Sequence, residues 1–238
     1  MVDVKSYKKV LIVAAIHGDE TYGIDLYAIF IKKYPELKNT VSMIIGNPEA
    51  FKKDTRFIDQ DMNRAFNSGV ESSESRAIER LTKSIRKINP DYIIDIHTTR
   101  RDSGNFFITD NLEIPKSVIM KSMPNINVCI MKHDIITKSF IGNNKRAISL
   151  EFSLSSINDG TSRHFTNGLH NLVTGAVDDS MKNKIYTVKK LIDNSDYKKH
   201  TNLKNYQQFK EGLALMVPTN IDQMSSSSYY GFWCEENI

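Results

Sequence analysis

Cysteine is nearly absent from this chain: Cys129 and Cys234 are the only two in 238 residues. They are too few and too far apart for a disulfide framework or a structural zinc cluster, so a reduced, cytoplasmic protein is the expectation. Long apolar runs are missing too. The longest, Val10 to Ile16, falls far short of the roughly 20 residues that cross a bilayer, and no charged-then-apolar leader opens the chain. Neither export nor a membrane partner is expected. Charge of one sign is not concentrated anywhere: the formal net charge is +4, and the lysines fall in scattered pairs such as Lys32-Lys33, Lys52-Lys53, Lys189-Lys190 and Lys198-Lys199. A phosphate-binding surface needs its basic groups gathered on one face, so no nucleic-acid partner is expected. With 40% hydrophobic and 25% charged residues the composition is that of an ordinary globular chain, which excludes disordered and collagen-like classes. The length suits one large domain or a domain with a small appendage, and there is no internal repeat.

What the chain does have is an apolar run that breaks abruptly into polar residues. Ile12 to Ile16 reads as a buried parallel strand, and His17-Gly18-Asp19-Glu20 follows at its end, with Gly18 expected to let the backbone turn sharply. Thr21 to Ile31 then has apolar residues at helical spacing. A strand, a tight turn and a helix thus present an imidazole and a carboxylate together, at the rim of an α/β sheet where ligands collect. A catalytic zinc-type ion takes three such ligands and keeps a position open for water, so one more ligand is required.

Further along, Val41 to Ile45 reads as a strand closed by Gly46-Asn47-Pro48, and Glu49 to Phe66 as a polar loop without sustained periodicity. A loop of that length inside a compact domain points to function, because ordering it costs entropy with little burial in return. Ser72 or Ser73 can cap an amphipathic helix through Ile85, which Asn89-Pro90 stops. Tyr92 to Ile96 reads as a strand that delivers His97, the missing ligand. Asp95 lies inside that strand, where a carboxylate is costly unless paired, and is placed to orient His97 or a neighbouring group. Phe106 to Ile108, Val128 to Met131 and Ala147 to Leu150 read as further strands, the last delivering Glu151. From His164 to Asp193 apolar residues recur at three- and four-residue steps, which predicts one or two helices. Lys210 to Pro218 reads as a turn and a strand, Ser225 to Ser228 as a bend, and Phe232 and Trp233 as the core of the tail. Cys129 reads as a small core residue, and His133, His164, His170 and His200 as surface or supporting residues. Alternating strands and helices predict an α/β fold.

Read together and in order, His17-Gly18-Asp19-Glu20, Gly46-Asn47-Pro48-Glu49-Ala50, Arg56 through Phe66, Asp95-Ile96-His97-Thr98-Thr99 and Leu150-Glu151 resemble the succinylglutamate desuccinylase and aspartoacylase family of zinc carboxypeptidase-like hydrolases. The resemblance runs from the first strand to Glu151. It implies a three-layer α/β/α fold with a mixed, mostly parallel sheet, and one zinc ion per chain held by His17, Glu20 and His97. It further implies Glu151 as general base toward water and proton donor to the leaving amine, and Arg56 as the cation that stabilises the oxyanion. Asn63 and Arg64 would grip a substrate carboxylate, with Tyr230, from a Tyr229-Tyr230 pair, reaching the substrate. The implied activity is hydrolysis of the amide of an N-acyl amino acid or related small carboxylate. A carboxypeptidase acting on peptide C-termini and a non-catalytic metal-binding protein on the same fold are the alternatives.

Two features depart from the family pattern. Its second arginine, some ten residues ahead of the general base, is replaced by Ile141, and neither Arg146 nor Arg163 matches that place. The C-terminal β-domain is also shortened. The chain is therefore expected to divide into a catalytic domain over 1–194 and a β appendage over 195–238 that completes the site, and a homo-oligomer in which a neighbour completes the tail stays open.

Overall fold

A computed structural model describes residues 7–132, 136–177, 183–200, 203–217 and 230–237. Ten strands among them form one sheet in the order β2-β1-β3-β6-β4-β5-β7-β10-β9-β8. These are β1 (Val10–Ala14), β2 (Val41–Ile45), β3 (Tyr92–Thr99), β4 (Phe106–Thr109), β5 (Asn127–Ile130), β6 (Ala147–Ser153), β7 (Ile185–Leu191), β8 (Gln208–Phe209), β9 (Gly212–Leu215) and β10 (Phe232–Asn237). Pairing is parallel for β2–β1, β1–β3, β3–β6, β4–β5 and β5–β7, and antiparallel for β4–β6 and for the edge made by β7, β10, β9 and β8. The mixed, mostly parallel sheet expected from the sequence is the one observed.

The helices are α1 (Tyr22–Lys33), α2 (Pro48–Lys52), α3 (Ser73–Ile88), α4 (Lys116–Ser122), α5 (Asp159–Thr174) and α6 (Asn194–Lys199). Leu26 and Phe30 of α1, Ile119 of α4 and Phe165, Leu169 and Leu172 of α5 share one apolar cluster with Ile12, Ile94 and Ile148 of the sheet. Ala77 and Leu81 of α3 join Leu11, Val13 and Ile93 in a second. Successive strand residues alternate between the two clusters, so the central strands are buried on both faces by helices, as parallel strands must be.

Local chemistry sets the helix ends. Ser72 is the cap of α3: its Oγ accepts from the Ser75 amide at 3.0 Å while Ser75 Oγ accepts from the Ser72 amide at 2.9 Å. Asn158 caps α5, and Gly175 ends it in the left-handed region at φ 72°.

The expectation of helix up to Asp193 is corrected here. The helix stops at Thr174, and Ile185–Leu191 is the strand β7. Ile185, Val188 and Ile192 stand at three- and four-residue steps, yet Tyr186 and Val188, both about 1% exposed or less, alternate as a strand requires, and β5 and β10 supply the backbone partners. Two smaller differences bear on the site. The loop after Gly46 opens with the short helix α2, and β3 runs on to Thr99 because β6 pairs with it as far as Ser153, so His97 lies inside a strand rather than beyond one. Cys129, Phe232 and Trp233 are core residues as expected. His133, Tyr229 and the serine run at 225–228 lie outside the described residues.

Candidate metal and catalytic site

Strands β1, β3 and β6 are neighbours and parallel, so their carboxyl ends open on the same edge of the sheet. β1 ends at Ala14, after which Ala15 takes a left-handed turn at φ 54° that two backbone bonds from the exit of β2 hold, Gly46 N to Ala14 O at 2.7 Å and Asn47 N to Ala15 O at 2.9 Å. Gly18 is needed for a different reason from the one expected. A Cβ there would lie 2.2 Å from the Ala50 carbonyl carbon, 2.3 Å from Phe51 N and 2.5 Å from Thr55 O, so close approach of backbone, not a special φ, requires the glycine.

The turn brings His17 and Glu20 to His97. His17 Nδ1 lies 2.8 Å from Glu20 Oε1, and His97 Nδ1 lies 2.9 Å from Glu20 Oε2. All three side chains are buried, and one ligand atom from each falls within 4.8 Å of the others, a grouping able to hold a metal ion. The donor set fits such an ion closely. Both Nδ1 atoms face the shared carboxylate, while each Nε2 is tied to another: His17 Nε2 to Asp61 Oδ1 at 3.0 Å, and His97 Nε2 to Asp95 Oδ2 at 2.8 Å. A carboxylate on the far ring nitrogen fixes the ring and leaves the near nitrogen to bind the metal. Asp95 thus has the orienting position expected of it, further held by Ser149 Oγ at 2.8 Å. The matching role of Asp61 toward His17 was not read from the sequence, because 44 residues separate the pair and only the fold joins them.

Electrostatics follow from this packing. Burial raises the Glu20 carboxyl, but the charges and hydrogen bonds of His17 and His97 more than reverse it and hold the group well below the usual carboxylate range. Burial likewise opposes a proton on His97, and Asp95 and Glu20 overcome it, raising the imidazole well above its ordinary value. Cations and carboxylates here stabilise one another in a dry setting.

The other expected residues surround this cluster. Arg56 donates from Nη1 to Glu20 Oε1 at 3.0 Å, and its Nη2 lies 3.5 Å from Asp61 Oδ2. Glu151 is the parallel register partner of His97, so both side chains leave the same face of the sheet. Burial is the largest influence on its carboxyl and pushes it up. Asn63 Oδ1 accepts from the Phe140 amide at 2.8 Å, which leaves its two amide donors without a hydrogen-bond partner among the described residues. Arg64 is exposed beside it and donates to the Asn63 carbonyl at 2.8 Å. The Tyr230 ring stacks on Tyr197 with centroids 4.4 Å apart and its hydroxyl lies 3.4 Å from Asn194 Oδ1. Ile141 is buried among apolar side chains, and Arg146 bonds Asn89 and Pro90 at the amino end of β6, away from the rim.

Residues 6–123 match the model of the succinylglutamate desuccinylase/aspartoacylase catalytic domain. Succinylglutamate desuccinylases and aspartoacylases are among the relatives of this chain. It is 38% identical over 105 residues to a succinylglutamate desuccinylase of Pseudomonas paraeruginosa, a match covering 39% of this chain and 32% of that protein. To an aspartoacylase of Danio rerio it is 31% identical over 119 residues, 44% of this chain and 38% of the other. The chain spans about a third to a half of the length of the curated relatives it matches. In fold the likeness is more extensive. Murine aminoacylase 3 superposes with a TM-score of 0.72 at 14% identity, covering 97% of this chain and 96% of that one. A succinylglutamate desuccinylase of Vibrio parahaemolyticus does so at 0.70 and 17%, covering 98% and 83%. The family resemblance read from the motifs is borne out, and His17, Glu20, Arg56, Asn63, Arg64 and His97 all fall inside the matched residues. No helix among the described residues is long and apolar enough to cross a membrane.

Proposed function

We propose that this chain is a zinc-dependent deacylase that hydrolyses the amide bond of an N-acyl amino acid or a related small carboxylate. The observation that carries the reading is the convergence of His17 Nδ1, His97 Nδ1 and the Glu20 carboxylate, each far ring nitrogen being held by its own carboxylate. Imidazole and carboxylate donors of this number suit zinc and leave a position open. When bound, a zinc ion so coordinated supplies Lewis acidity toward a carbonyl and toward water.

The chain's own residues do the rest. Asn63 and Arg64 hold the substrate carboxylate, a planar guanidinium and an amide whose donors have no partner among the described residues being matched to that group. Arg56 places a fixed cation beside the cluster, where negative charge develops on the carbonyl oxygen as water adds. Glu151 takes the proton that water loses and passes it to the nitrogen as the C–N bond breaks, giving a free carboxylate and an amine. A carboxyl raised by burial is suited to both halves of that transfer.

Purified protein is expected to carry about one zinc per chain, and Glu151→Gln to lower kcat about 10²- to 10⁴-fold with the zinc retained. Full turnover in a metal-free preparation would end this reading. A panel of N-acyl amino acids against short peptides locates the substrate class, and a preference for peptides would make the chain a carboxypeptidase.

A further inference from the structure

Arg56, Asp61, Asn63 and Arg64 all stand on a stretch with little regular structure of its own, a single 3-10 turn at Met62–Arg64. Something outside the stretch must fix it. The backbone amides of Ile58, Asp59 and Gln60, three residues in a row, all point at one side chain, Glu74 in the first turn of α3. Its Oε1 accepts from Ile58 N at 2.8 Å and from Asn47 Nδ2 at 3.2 Å, and its Oε2 from Asp59 N at 3.1 Å and Gln60 N at 3.2 Å. Glu74 is 0% exposed, and none of these four donors is a cation.

A buried carboxylate without a counter-ion is costly unless hydrogen bonds satisfy it, and buried amides are costly unless they find acceptors. Each here resolves the other, and the helix N-terminus adds favourable charge. Neighbouring bonds repeat the attachment: Asp59 Oδ2 accepts from Ser73 N at 2.7 Å, and Gln60 Nε2 donates to Ser72 Oγ at 2.8 Å. Through Asn47, whose own amide bonds Ala15 O, the same carboxylate is linked to the turn that carries His17 and Glu20. The held amides begin two residues after Arg56 and end one residue before Asp61.

We infer that Glu74 is a positioning residue: its buried carboxylate sets where Arg56, Asp61 and the Asn63–Arg64 grip stand relative to His17 and Glu20. The kinetic part of this inference rests on the deacylase reading; the structural part does not.

Glu74→Gln keeps the size of the side chain but turns an NH2 group toward amides that need an acceptor. In that variant the amides of residues 58–60 are expected to exchange hydrogen about ten- to a hundredfold faster, with those of β1 and β3 unchanged. Per zinc-loaded chain, kcat is expected to fall up to about a hundredfold through Arg56 and KM to rise through Asn63 and Arg64. Glu74→Asp, a shorter carboxylate, is expected to fall between the variant and wild type. Unchanged protection at 58–60, or unchanged kcat and KM per loaded chain despite a lower melting temperature, would overturn the inference. If Glu74→Gln does not fold, Glu74→Asp and wild type decide: fast exchange at 58–60 in the native protein overturns it, and slow exchange that quickens in Glu74→Asp supports it. A wild type inactive on every N-acyl amino acid would sink the deacylase reading while leaving the exchange experiment to judge Glu74.

Discussion

The rim formed by β1, β3 and β6 and the edge formed by β7 to β10 are parts of one sheet held together by different forces. At the rim, charged side chains are buried against one another: Glu20 alone receives His17, His97, Arg56 and the Thr98 amide. At the edge, Ile192, Leu203, Ala214, Val217 and Trp233 make a small apolar core anchored by Asp196, which accepts from Trp233 Nε1 at 3.3 Å and pairs with Lys190 at 2.7 Å. Bonds among the described residues that fasten the edge to the loop that follows His97's strand include Arg101 Nη1 to Met216 O at 2.9 Å, Asn205 Nδ2 to Asp102 O at 3.1 Å and Tyr206 OH to Ser103 O at 2.7 Å. Buried charge tolerates little displacement, since every group depends on its partner, whereas apolar packing on an open edge tolerates change. The contrast separates a rim of interlocked charge, where the proposed chemistry sits, from a more replaceable edge.

The sharpest way to break that contrast is Gly18→Ala. Its Cβ would meet backbone atoms on three residues, none of which can swing aside, so a loss of about 3 kcal/mol in unfolding free energy is expected, together with loss of zinc. Denaturant unfolding with metal analysis checks this, and a stable, loaded variant would mean that the rim is not rigid. Asp61→Asn keeps the shape but frees the tautomer of His17, so zinc affinity should drop about 10- to 100-fold in a chelator competition. An unchanged affinity would show that the ring needs no such partner.

A titration sharpens the comparison further. In the metal-free protein the Glu151 carboxyl is expected to titrate above its ordinary value, because burial is its largest influence, and zinc should draw it back down. The sign for stability follows: a raised carboxyl favours the protonated folded state, so its contribution is present below the unfolded pKa and is lost as pH rises through the folded one. Side-chain NMR titration with and without zinc would show it, and an ordinary value would make Glu151 as solvated as the edge. The smallest effect belongs to the edge. Tyr206→Phe deletes the bonds to Ser103 O and from Asn127 Nδ2, and about 1 kcal/mol should be lost with kcat near wild type. A hundredfold fall in kcat would place the edge in the catalytic machinery.

Much of the rim was legible in the chain because its signals are local. An apolar run must end in a turn, so His17 and Glu20 could be placed beyond β1, and an aspartate inside the apolar strand before His97 demanded a partner. Val41 to Ile45 reads as a strand from its five residues alone and is one. Where the reading failed, the deciding partner was remote. Ile185, Val188 and Ile192 satisfy a helical period and a strand almost equally well, and β5 and β10 made the choice by offering backbone bonds.

The order of residues therefore settled the class of fold, the candidate ligand types and the turn that presents His17 and Glu20, since hydrophobic period, caps and chain breaks act over a few positions. Which carboxylate serves which imidazole, why residue 18 must lack a side chain, and that Glu74 secures the loop from Arg56 to Asp61 were settled by folding. Hydrogen bonds and close contacts bind groups that meet in space, and the chain brings those groups together from tens of residues apart.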